Sequence, residues 1–162
     1  MNLSGAWLAK ARLSGLNFDR ANFFEAHLEF ANLIETAING AQIDMASLQG
    51  AYLKRSQAKS VNFALTNLHR SDFESANLES AIFNRAEADQ ANFDLANLKQ
   101  SNLEKARFRL ASFRNASFQN TKLQDTNLEN ARDLTFSQLE ETNGNLETKI
   151  PKELTRPPHW PT

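Results

Sequence analysis

Ala91-Asn92-Phe93-Asp94-Leu95-Ala96-Asn97-Leu98-Lys99-Gln100 holds the same five-residue pattern twice. A small residue is followed by asparagine, a large apolar centre and two variable positions. In both directions the centre recurs at every fifth residue, from Leu3 to Leu128, without a slip. It is Leu, Phe or Ile everywhere except Ala58 and Ala88. Where the small residue is not alanine it is usually Ser or Thr, as at Thr36, Ser56, Thr66, Ser71, Ser101, Thr121 and Thr126.

Alanine and leucine favour helix, but the period does not. At about 100° per residue, a step of five turns the apolar direction by about 140°, so no stripe forms. A long strand fails too, because an odd period throws successive centres to opposite faces. Within one unit the small residue and the centre share a face and the asparagine takes the other. A short extended segment followed by a corner satisfies both facts, and repeated corners coil the chain over itself. The corner residues agree. Gly5, Gly15, Gly40 and Gly50 fall two residues after a centre, as do Asn115, Asn120 and Asn130. A type II turn needs positive φ there, which Gly adopts freely and Asn tolerates. Proline, which cannot donate to a neighbouring coil, is absent before Pro151.

The units Ala21-Asn22-Phe23-Phe24-Glu25, Ala76-Asn77-Leu78-Glu79-Ser80 and Ala91-Asn92-Phe93-Asp94-Leu95 match the A-(D/N)-(L/F)-x-x signature. Through them the chain resembles the pentapeptide-repeat family, bacterial members with a C-terminal Pro/His/Trp tail included. The resemblance implies an all-β solenoid: a right-handed quadrilateral β-helix of four units per coil, about six coils over residues 1–131. Residue n then lies beneath n+20 at the strand spacing of about 4.8 Å. Opposite charges stack at that interval in Lys54/Glu74, Lys59/Glu79, Glu79/Lys99, Glu87/Arg107, Asp89/Arg109, Asp94/Arg114, Lys105/Asp125 and Arg109/Glu129.

Residues 132–162 read as a C-terminal cap. Thr135 and Gln138 have capping-box spacing, with Leu134 and Leu139 placed as a staple. A short helix over 136–142 is expected, followed by an extended Pro-rich tail. Phe136, Leu139, Ile150, Leu154 and Trp160 are expected to pack on the last coil as a lid; the alternative is a Pro-rich docking peptide. At the other end, Trp7, Phe24, Phe30 and Ile34 occupy outward or corner positions of the first two coils. They are candidates for an interface with a protein partner or with a second copy in a homodimer.

The chain carries 18 basic and 19 acidic residues, a net charge of −1, and no cysteine. Near-balance opposes a direct nucleic-acid binder or a polybasic membrane surface, and missing thiols exclude disulfides and thiolate metal sites. No apolar run approaches the roughly 20 residues that span a bilayer, and no signal-peptide pattern opens the chain, so a cytoplasmic location is expected. His27, His69 and His159 are scattered, and no phosphate loop, nucleophile elbow or metal-ligand spacing occurs. The expectation is a non-enzymatic interaction or scaffold module with no catalytic residue, cofactor or metal. The resemblance offers an alternative, since some family members imitate DNA and bind DNA gyrase. That mimicry needs strong negative charge, whereas residues 1–131 hold 14 acids and 14 bases.

Overall fold

The computed structural model describes residues 1–161. Parallel bridges join residue n to n+20 in four ladders, which begin Asn2–Asn22, Trp7–His27, Arg12–Asn32 and Asn17–Ala37. One coil therefore takes 20 residues and has four sides, called here the first to fourth in that order. At every corner but the one after Ala58, the residue in the small position donates to the centre three residues back, as from Ala96 N to Phe93 O at 3.1 Å. The third turn residue has positive φ at every fifth position from Gly5 to Asn130. Glycine and asparagine were the expected occupants, yet Phe30, Leu65, Leu95 and Leu110 also sit there, with φ of 57 to 61°. For such residues the left-handed region costs roughly 1–2 kcal/mol. The ladder holds them: Leu95 N, for example, donates to Arg114 O at 2.8 Å in the next coil.

The interior is solid. Every centre from Phe23 to Leu128 is buried, in one continuous core with the small residues. Phe93 stacks between Phe73 (4.9 Å) and Phe113 (5.4 Å) and meets Phe83 and Phe108 edge-on at 5.9 and 5.5 Å. Phe83 also reaches Phe108 at 6.2 Å. These rings come from either side of Ala88 and from the coil above it.

The backbone explains the asparagines. Of the five N–H groups in a unit, one closes the turn and three bond to neighbouring coils, which leaves the residue after the centre without a backbone acceptor. The asparagine two positions earlier supplies one. Asn92 Oδ1 accepts from Asp94 N at 2.9 Å, and Asn22, Asn32, Asn62 and Asn97 do the same for their units. In four units that lack Asn or Asp there, a side chain one coil below substitutes. Asp89 accepts from Arg109 N at 3.0 Å, Asp94 from Arg114 N at 3.0 Å, and Asp19 from Asn39 N at 2.7 Å. The signature asparagine thus supplies an acceptor for the one N–H of the unit that the ladders leave over. The hydroxyls that replace alanine inside the core are bonded to centre carbonyls, except that of Ser56, which is buried without a partner. Thr66, Thr121 and Thr126 reach back 23 residues, to Ile43 O, Leu98 O and Leu103 O.

The C-terminal end departs from expectation in three respects. Helix α1 spans Phe136–Glu140 and is shorter than 136–142. Its capping box is present, with the Thr135 side chain accepting from Gln138 N and Gln138 Oε1 accepting from Thr135 N at 2.8 Å. The helix ends early because the chain re-enters the ladders, with Asn143 bridging Lys122 and Lys149 bridging Asn127. Thr142-Asn143-Gly144 and Thr148-Lys149-Ile150 are thus two further units, hidden from the five-residue frame by inserted residues. Thr148 Oγ1 even donates to Leu123 O at 2.8 Å, the contact other core threonines make. Finally, the tail is not extended. Pro151–Leu154 and Pro157–Trp160 form two turns, closed by Leu154 N to Pro151 O and Trp160 N to Pro157 O at 3.1 Å each. Proline at the second position of the latter presets its φ for a turn, and burial of Pro151, Pro157 and Trp160 folds the segment back.

Candidate interaction surfaces

The four sides differ in chemistry. The first and fourth carry amide ladders along their midlines. Asn97 Nδ2 donates to Asn77 Oδ1 at 3.2 Å, Asn77 to Gln57 Oε1 at 3.3 Å, and Asn62 to Gln42 Oε1 at 3.3 Å. The second and third sides carry most ion pairs. Lys54 meets Glu74 at 2.8 Å and Asp72 at 3.2 Å, and hydrogen bonds to those two carboxylates push its ammonium pKa up. Lys59–Glu79 (3.0 Å), Arg109–Glu129 (4.0 Å) and Arg114–Asp94 (4.0 Å) follow the 20-residue stacking. Arg107 instead reaches diagonally to Asp89 at 2.9 Å, and that hydrogen bond raises its pKa. Glu87, its expected partner, faces His69 at 3.3 Å. Glu79–Lys99, Asp89–Arg109 and Lys105–Asp125 are not ion pairs among the described residues, whereas Arg55–Glu35 at 2.8 Å is an additional one. At Glu29, burial alone would raise the carboxyl pKa. Hydrogen bonds from Ser47, from its own backbone and from His27, with the charge of His27, outweigh it and hold the group low.

Trp7, Phe24, Phe30 and Ile34 do not form one patch. Trp7 lies on the second side of the first coil, 82% exposed, with its indole stacked on His27 at 3.9 Å and 9°. The other three lie on the second coil at successive corners. Phe24 and Ile34 are half-buried. Phe30 is 49% exposed and its ring lies over Gly50, where a Cβ would stand 2.5 Å from Phe30 Cε1. What the structure does bring together is Phe30, Ile34 and Tyr52, since Tyr52 bridges Asn32 one coil up and is 46% exposed. Tyr52 was legible in the sequence as an aromatic in an asparagine slot. Other exposed apolar residues (Met45, Leu65, Ile82, Leu95 and Leu110) are spread along the corners and the first side.

The five cap residues occupy the last coil. Leu139 is fully buried and Phe136 partly so. Ile150 and Leu154 pack against the core cluster, and Trp160 is 4% exposed within it. Trp160 stands where Gly144 provides no centre: a Cβ at Gly144 would meet Trp160 Cε3 at 2.5 Å. Thr142 O accepts from Trp160 Nε1 at 3.2 Å and lies 2.8 Å from His159 Nε2, which therefore carries the proton. Arg156 donates to Leu146 O at 2.7 Å and Thr148 O at 3.2 Å, tying the tail across the coil.

Open grooves mark the surface. One of about 570 Å³ runs past Glu129, Lys149, Pro151 and Arg156. Another of about 580 Å³ lies beside Arg114, Asp133 and Gln138. Among the described residues no three His, Asp or Glu side chains are grouped to hold a metal, and no helix is long and apolar enough to cross a membrane.

The family description "Pentapeptide repeats (8 copies)" matches residues 2–42 and 46–85, and "Pentapeptide repeat region" matches 66–144. The chain belongs to the pentapeptide-repeat family. The second match takes in Thr142-Asn143-Gly144, in keeping with the ladder there. No curated protein sequence matches this pentapeptide-repeat protein. Among solved structures it is similar to HetL of the cyanobacterium Nostoc sp. strain PCC 7120, "involved in Heterocyst Differentiation Regulation", at 26% identity. The match covers 83% of this chain and 68% of that one, with a TM-score of 0.50. It is also similar to a thylakoid-lumen pentapeptide-repeat protein of Arabidopsis thaliana (20% identity, 71% and 70% coverage, TM-score 0.38). A third is QnrB1, "a plasmid-mediated fluoroquinolone resistance protein" (15% identity, 84% and 86% coverage, TM-score 0.39).

Proposed function

We propose that this pentapeptide-repeat protein is a non-enzymatic interaction module that presents the flat sides of a rigid, right-handed rod to a protein partner. One observation carries the reading. The interior is filled by side chains, a number of the outer charges pair with each other across coils, and large apolar side chains stand exposed beside them. One such grouping is Phe30, Tyr52 and Ile34, which lie across the third side between two successive corners on adjacent coils. Aromatic residues of this kind dominate the energetics of protein interfaces. The regulatory part named for HetL is compatible with action by contact.

The gyrase-mimic alternative has no comparable support. Its premise is a one-signed surface, whereas acids on this rod neighbour bases at 2.8 to 4.0 Å. Affinity capture with the full chain from its host, repeated with Phe30→Ser/Tyr52→Ser, tests the reading. The retained protein is expected to be lost with the double variant while the circular dichroism spectrum is kept. Retention of the same protein at the same yield would contradict the assignment of this side.

A further inference from the structure

We infer that the corner between the first and second sides, with the second side next to it, binds a second copy of this chain lying antiparallel alongside the first. The inference goes beyond the interaction reading and does not use Phe30, Ile34 or Tyr52; its failure would leave that assignment untouched.

The third turn residues of this corner stack one per coil. In four successive coils they are Glu25, Met45, Leu65 and Arg85: an acid, two large apolar residues and a base. Backbone bonds hold the order. Glu25 N donates to Asp44 O at 3.2 Å, and Met45 N, Leu65 N and Arg85 N donate to Ala64 O, Asn84 O and Glu104 O at 3.0 Å each. All four side chains are exposed, Met45 by 50% and Leu65 by 51%. Coils of the same chain lie below and above each of them, so this exposure is lateral.

None of the four is engaged within the chain. Arg55 and Arg107 meet carboxylates at 2.8 and 2.9 Å, whereas among the described residues Arg85 meets no acid and Glu25 no base. Met45 and Leu65 hold φ of 59 and 58°, a region disfavoured for any residue with a side chain. Glycine holds the same corner at Gly5 without that cost. Apolar side chains kept at strained and exposed positions point to a use outside the fold.

The order acid, apolar, apolar, base is complementary to its own reverse. A two-fold axis across the second side, at a height between Met45 and Leu65, lays the column on its copy running the opposite way. Met45 then meets the partner's Leu65 and Glu25 meets the partner's Arg85, each contact made twice. Along the midline of the second side, the same register sets His27 against the partner's Glu87 and Ser47 against the partner's Asn67. One like-charged pair results, Glu29 with the partner's Asp89. Both carboxylates are already engaged, Glu29 by His27 at 3.5 Å and Asp89 by Arg107 at 2.9 Å.

Other arrangements lack this match. An axis along the rod sets Glu25 against the partner's Glu29 and Lys105 against the partner's Arg109, and like charges directly opposed are unfavourable. Moving the antiparallel axis by half a strand spacing sets Glu25 against the partner's Leu65, or Met45 against the partner's Arg85. A charge is then covered by an apolar group. At about 4.8 Å per coil the shared face is short, which makes the dimer a reversible one of the small-interface class.

Sedimentation velocity on the full chain, from about 10 μM to about 1 mM, tests the inference. The unmodified protein is expected to dimerise within that range. Arg85→Glu sets like charges opposite each other twice and is expected to weaken the dimer by about tenfold or more; Glu25→Arg should do the same. Combining the two substitutions restores the pairing with the signs exchanged and is expected to recover the dimer. Both side chains are exposed and unpaired within the chain, so the circular dichroism spectrum and melting temperature should not change. A monomer throughout the range would overturn the inference. So would a dimer indifferent to Arg85→Glu, or a double variant that stays as weak as the single ones.

Discussion

Phe93→Ala is expected to lower the unfolding free energy by about 3–5 kcal/mol, the range for a buried aromatic truncated to alanine. The position argues for the upper part of that range. Phe93 is fully buried and contacts four other rings, two stacked and two edge-on. Each such aromatic pair adds about 0.5–1.5 kcal/mol beyond area burial. Partial collapse into the void is opposed from above and below, because Phe73 and Phe113 are anchored to their own coils. In a stacked repeat, stability is the sum of unit terms and nearest-neighbour interfaces. A hole in the fifth coil therefore weakens two interfaces at once. Urea denaturation followed by circular dichroism reads the effect, and a fall in the slope m would report that the halves had begun to unfold separately. A loss below about 1 kcal/mol, the size of an ordinary surface change, would mean the ring is not in this column.

Trp160→Ala is the second large expected effect, about 3 kcal/mol, although the residue is third from the end of the chain. Its indole is 4% exposed, fills the place of the missing centre at Gly144 and donates to Thr142 O. Losing it should release the last two ladder contacts. Hydrogen exchange then quickens at Asn143 and Lys149, whose N–H groups donate to Thr121 O and Thr126 O at 2.9 Å each. The central coils, remote from the cap, should keep their protection. The docking-peptide alternative expects the reverse, a melting temperature unmoved by Trp160→Ala and no change in exchange at Asn143. An indole held in the core, with three backbone acceptors occupied by Arg156, His159 and Trp160, favours the lid.

Most of the fold was legible because the repeat places the same physical demand at every fifth position. A centre at Phe93, a small residue at Ala91 and a turn residue at Leu95 each occupy a slot that the sequence repeats along the chain. What the frame hid lies where the spacing slips. Thr142 and Thr148 are six residues apart instead of five, and Gly144 has no side chain to mark a centre. The filled slot shows only once Trp160 is seen to return from 16 positions later. The reason for the asparagines was also invisible, since an orphaned N–H is recognised only after every other backbone bond is placed. The candidate surface was less legible. Phe24, Phe30 and Ile34 are close in sequence, but corners spread them around the rod, while Tyr52 approaches Phe30 and Ile34 across the coil spacing. Four of the eight charge pairs read along columns are ion pairs, and diagonals such as Arg107 to Asp89 were missed, because a long side chain is not bound to its own column.

The most direct test of the account concerns the 20-residue coil on which every surface assignment depends. The chain has no cysteine, so an engineered pair reports without background. Asn77 and Asn97 bridge on the fourth side, their amides 3.2 Å apart. Adjacent parallel strands lie about 4.8 Å apart, within the roughly 4.4–6.8 Å Cα separation a disulfide accepts. Mild oxidation of Asn77→Cys/Asn97→Cys is expected to close an intramolecular disulfide, whereas Asn77→Cys/Asn92→Cys, one unit short of a coil, stays reduced. Closure of the second pair and not the first would mean a three-sided coil and would contradict the account.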